Sequence, residues 1–140
     1  MSSNADILRR LAEAHTAQDY ETVAELLADD CEFIDCATGE KSIGRDAVME
    51  TFKKWESAFP DMEISVLNVV STENGAAGEF LARGTQTGPL GDIPATDKAV
   101  EEHMALIAEI EDGKLAGIRE YYDAMTLMAQ LGLVPEAAKA

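Results

Sequence analysis

At 140 residues, 46% of them apolar and 27% charged, the chain has the length of one domain and enough apolar content to bury a core. Eleven Lys and Arg stand against 27 Asp and Glu. The net charge of −16 argues against nucleic acid or an anionic membrane as partner, because phosphate binding needs clustered cations.

Residues 1–140 read as a single domain with no repeat, low-complexity tract or linker. No apolar run reaches the length of a membrane span, and the first residues lack a basic stretch followed by an apolar one, so the expected location is cytoplasmic. The first predicted helix follows Ser-Ser-Asn-Ala-Asp. Ser3 or Asn4 can cap it, and Ile7, Leu8, Leu11, Ala14 and His15 share one face. A second helix is expected from about Asp19, with Val23, Leu26 and Leu27 inward. CEFID is a short strand. Cys31 and Cys36 fall on opposite faces of this segment, roughly 17 Å apart if it is extended, which is too far for a disulfide. The stretch ATGEKSIGR reads as a loop. It leads to a third helix with the stripe Val48, Phe52, Trp55 and Phe59, stopped at Pro60 and Asp61.

A strand meander follows. MEISVLNVVS and EFLARGTQTG are strands separated by a turn at Glu-Asn-Gly, and PLGDIPATDK is a long loop. AVEEHMALIAEI and LAGIREYY are strands joined by Asp112-Gly113, the strongest hairpin signal in the chain. A last helix, AMTLMAQL, ends at Gly132. Helices first and antiparallel strands afterwards predict an α+β fold: a curved antiparallel sheet wrapped around the N-terminal helices, with a conical cavity at one end.

Four segments resemble the SnoaL-like polyketide cyclase family, within the cystatin-like α+β barrel fold of nuclear transport factor 2 and ketosteroid isomerase. They are EAHTAQDYETVAELLADDCEFID, GRDAVMETFKKWESAFPDMEISV, ARGTQTGPLGDIPATDKAV and EDGKLAGIREYYDAMTLMAQLG, in the family's order. The resemblance implies an intramolecular aldol condensation without metal or organic cofactor. One aspartate, which maps onto Asp123, would serve as general acid and base. It also implies a small polyketide-like or other apolar carbonyl substrate and a homodimer or homotetramer. The chain departs from the family at Gln86, where RGTHTG has a histidine, and at Met125 and Thr126, where glycine is common. The fold also hosts isomerases, dehydratases, hydrolases, hydroxylases and non-catalytic binding or assembly proteins.

The candidate site residues each carry two readings. Asp123 precedes AMTLMAQL and is either an ionised N-cap or a desolvated acid poised for proton transfer. Tyr121 shares a strand face with Asp123 and Arg119, and is either an oxyanion donor or an aromatic wall. His103 is a second catalytic proton donor, a hydrogen-bonded structural residue or a subunit contact. His15 lines the cavity if the first helix closes it; otherwise it is a half-buried helix residue. Gln86 can orient a carbonyl but cannot shuttle protons near neutrality. Trp55 is core, with at most one edge on the cavity. No metal site is expected, since Glu101, Glu102 and His103 alternate sides along a strand.

Overall fold

The computed structural model describes residues 3–133. Helix α1 (Asn4–Ala17) begins at Ser3, whose hydroxyl accepts from the Asp6 amide while the Asp6 carboxylate accepts from the Ser3 amide. This reciprocal pair satisfies amides that the first turn leaves open. Helix α2 (Tyr20–Leu26) is capped by Asp19. It ends one residue sooner than its apolar pattern suggests, because Leu27 starts strand β1 (Leu27–Asp35). Strand β2 (Lys41–Ile43) lies where the sequence reads as loop; it pairs antiparallel with the edge of β1. Helix α3 (Arg45–Ala58) follows. The remaining elements are β3 (Glu63–Ser71), β4 (Gly75–Thr85), β5 (Ala99–Glu111), β6 (Lys114–Tyr122) and α4 (Ala124–Gln130).

The six strands form one sheet in the order β2-β1-β6-β5-β4-β3. It is curved and unclosed, and the fold is α+β as expected. The sheet is mixed rather than purely antiparallel, because β1 runs parallel to β6. That pairing sets Phe33 beside Ile118 and Asp35 beside Glu120. The main core lies between α1, α3 and the concave face, built on Leu8, Leu11, Phe33, Phe52, Phe80 and Ile118. A smaller cluster of Ala58, Phe59, Leu90, Leu127 and Leu131 ties α4 and the long loop to the end of α3. Between the two clusters the layers part, and a cavity remains.

Candidate active site

The helices supply one wall of this cavity. His15 follows Leu8 and Leu11 on the inner face of α1, and Phe52, Trp55, Glu56 and Phe59 face it from the C-terminal half of α3. The concave sheet supplies the other wall, including Phe33, Phe80, Met104, Ile118, Glu120 and Tyr122. About 120 Å³ is open to the centre of a water-sized sphere, and the unfilled space including the open mouth is about 1010 Å³. The lining is overwhelmingly apolar, with a few polar groups set into it, as in small-molecule sites.

Glu120 is the strongly perturbed carboxyl of those groups. On β6 it alternates with Ile118 and Tyr122, so all three point inward. Burial, reinforced by the charge of Asp35 on the adjacent strand, pushes its carboxyl up to about 8. Asp35 is buried but tied down. Its Oδ1 accepts from the amides of Ala37 at 3.0 Å and Thr38 at 3.1 Å, and its Oδ2 accepts from the Tyr122 hydroxyl at 2.9 Å. Burial and that bond raise the Tyr122 phenol far above its ordinary range. Tyr122, rather than Tyr121, is therefore the phenol inside the cavity, and Trp55 packs edge-on against it at 6.1 Å.

Two further acids lie at the rim and wall. The Glu102 Oε1 accepts from the Asp123 amide at 3.1 Å, and burial raises its carboxyl above the ordinary range. Glu56 is buried on α3, where its Oε1 meets His15 Nδ1 at 3.0 Å. Sequence inspection passes over Glu56, although it stands four residues after Phe52 and three before Phe59 on the apolar stripe. It also passes over Glu120, framed by Ile118 and Tyr122 at strand spacing.

The other expected residues are distributed differently. Of the six named from the sequence, His15 and Trp55 line the cavity. Asp123, Tyr121 and His103 meet instead in an open groove beside Glu79, on the convex side of the sheet. Asp123 is exposed and caps α4. Its Oδ1 accepts from the amides of Met125 and Thr126, and its Oδ2 accepts from the Thr126 hydroxyl at 2.7 Å. The bonds from Thr126 lead those that hold its carboxyl below the ordinary value, which is the behaviour of a cap. Gln86 is fully buried away from both recesses. Its side chain donates to the Pro94 carbonyl and accepts from the amide and hydroxyl of Thr96, so it braces the loop that follows β4. Arg83 pairs with Glu101 at 2.9 Å, a half-exposed ion pair between neighbouring strands. Among the described residues no cluster of His, Cys, Asp and Glu has the arrangement of a metal site.

The profile of the SnoaL-like polyketide cyclase family matches residues 5–131. No curated protein matches the chain in sequence. Several solved structures share its fold. One, named as a SnoaL-like polyketide cyclase from Jannaschia sp. CCS1, is 20% identical with a TM-score of 0.85, over 94% of this chain and 93% of that one. IdmH of Streptomyces antibioticus, named as a polyketide cyclase, is 27% identical with a TM-score of 0.81, over 94% and 99%. A protein of Catenulispora acidiphila with a ketosteroid isomerase-like fold, solved with trimethylamine, is 17% identical with a TM-score of 0.80, over 99% and 98%.

Proposed function

From the premise that this chain belongs to the SnoaL-like polyketide cyclase family, we propose that it closes a ring by intramolecular aldol condensation, with Glu120 as the proton donor. The observation that carries this is a carboxyl held at about 8 inside an apolar cavity. Such a group keeps its proton at neutral pH and can give it to a carbonyl oxygen as negative charge develops there. The family resemblance offers Asp123 for this part. Its exposure and its three cap bonds favour the ionised form, so the proposal moves the role three residues back along the chain to Glu120. The cavity wall contributes by folding one flexible substrate so that its two carbonyls meet. The substrate is a small, largely apolar compound with at least two carbonyl groups, and the chemistry uses no cofactor.

The test needs no substrate. The side-chain carboxyl of Glu120 is titrated by carbon-detected NMR and assigned with Glu120→Gln. A midpoint near 8 is the expected result. A midpoint near the ordinary glutamate value of 4.5 overturns the assignment. Product analysis on a dicarbonyl substrate then separates ring closure from isomerisation, dehydration or hydrolysis by the same acid.

A further inference from the structure

An aldol step needs a group that removes a proton as well as one that supplies it. A carboxyl that stays protonated to about pH 8 serves only the second need at neutral pH. The other polar groups lining the cavity are mostly committed. Tyr122 donates to Asp35 and Arg83 is paired with Glu101; Glu102 holds the Asp123 amide through Oε1, and although its buried Oε2 has no partner among the described residues, burial disfavours the ionised form a base needs. The exception is on the helical wall.

His15 and Glu56 come from different helices and meet through Nδ1 and Oε1 at 3.0 Å, with side-chain exposures of 13% and 3%. When Glu56 is a carboxylate it can only accept, so Nδ1 carries the shared proton and Nε2 is the ring nitrogen left to act on a substrate. Among the described residues Nε2 has no hydrogen-bond partner, and the His15 side chain lines the cavity. Phe52 meets the imidazole edge to face, with centroids 4.6 Å apart and planes at 85°, which fixes the ring plane. Burying a carboxylate on an apolar helix stripe is costly, and a well-packed apolar residue commonly stabilises such a position better. A role in orienting the histidine accounts for the acid at position 56.

We propose that His15 is the base of the reaction and that Glu56 is its positioning residue. This rests on the reading of the cavity as an enolising site. His15 Nε2 removes a proton from the carbon α to a carbonyl, and the C–H electron pair becomes the enolate. The enolate carbon attacks the second carbonyl of the same molecule. A C–C bond forms, the C=O π pair moves onto oxygen, and that oxygen takes the Glu120 proton. The imidazolium proton returns to the Glu120 carboxylate through solvent, which restores both groups.

The probe is 2-tetralone, an apolar ketone with acidic α hydrogens. Its solvent deuterium incorporation is followed by proton NMR, and the ring nitrogens of His15 are read by nitrogen-15 shifts in the intact protein. The expected results are an Nδ1–H tautomer in the wild type and about a 100-fold loss of exchange in His15→Gln. In His15→Ala, added imidazole partly restores exchange. Glu56→Gln is expected to redistribute the tautomer and slow exchange together, whereas a purely structural contact would leave the exchange rate of the folded variant at the wild-type value. Exchange that persists in His15→Gln but falls in Glu120→Gln overturns the role of His15 and leaves Glu120 standing. An Nε2–H tautomer in the wild type overturns it without any activity measurement, and so covers variants that fail to fold. A wild type with no exchange above buffer overturns the enolising site and the base with it.

Discussion

Glu120 makes the stability of the fold depend on pH in an unusual direction. Below about pH 4.5, folded and unfolded chains both hold its proton, and the residue costs nothing. Between the ordinary value of 4.5 and about 8 the unfolded chain releases the proton while the folded chain keeps it, so stability falls as pH rises. The full loss, on the order of 5 kcal/mol at about 1.4 kcal/mol per unit, is reached above pH 8. Glu120→Gln is therefore expected to match the wild type near pH 4 and to exceed it by several kcal/mol above pH 8, as read from urea midpoints. Asp123 behaves in the opposite sense. Its lowered carboxyl contributes stability above its ordinary range that is lost as pH falls through the lowered value. Asp123→Ala should reduce the melting temperature through loss of the cap, while 2-tetralone exchange stays at the wild-type rate; lost exchange in a folded Asp123→Asn variant would return the catalytic role to this residue. The sequence held the clue to both acids. Tyr121 and Asp123 share one side of the β6 line, and Ile118, Glu120 and Tyr122 share the other. Alternation sorts residues into two faces, but only packing against α1 and α3 decides which face looks inward.

At the scale of elements, β5 was legible because its residues alternate from His103 to Glu109, ahead of the irregularity in its pairing with β6 at Glu109 and Ile110. Met104, Leu106 and Ala108 turn inward, and His103, Ala105 and Ile107 turn outward. Strand β2 was not legible, since three residues carry no period and become a strand only because β1 leaves an edge to pair with. The parallel contact of β1 with β6 is equally invisible in a local pattern, because it joins segments from opposite ends of the chain. Close approach of strands gives a sharper test at Gly75, the first residue of β4. A Cβ there would sit 1.9 Å from the Ala108 carbonyl oxygen, a backbone atom that cannot swing aside. Gly75→Ala should cost roughly 1–3 kcal/mol in urea unfolding, because β4 must shift away from β5 to admit the methyl group. A variant as stable as the wild type would mean that this end of the sheet is looser than drawn.

For the whole molecule, the convex face of the sheet is the surface to watch. Val70 pairs with Ala77, Ala77 with Ile107 and Ile107 with Arg119, a row facing away from the core. Val70 and Leu67 are each 50% exposed and Tyr121 is 44% exposed. Homodimerisation through this face is the expected state, seen in light scattering as twice the chain mass, with Val70→Arg giving monomers. Each chain carries a charge of −16, so the dimer should loosen at low salt and tighten as salt screens the repulsion. A monomer in the wild type at micromolar concentration and ordinary salt would remove this expectation. The bond from Tyr122 to Asp35 spans 87 residues of sequence, and Glu120 stands beside Asp35 across the same strand pair. Such sequence-distant pairing is slow to form. A nascent chain can complete α1 to α3 and β3 to β5 while still lacking the strand that carries the acid. On the proposed reading the proton donor arrives only with the last strand, so a half-made polypeptide carries the base of α1 without the acid that works with it.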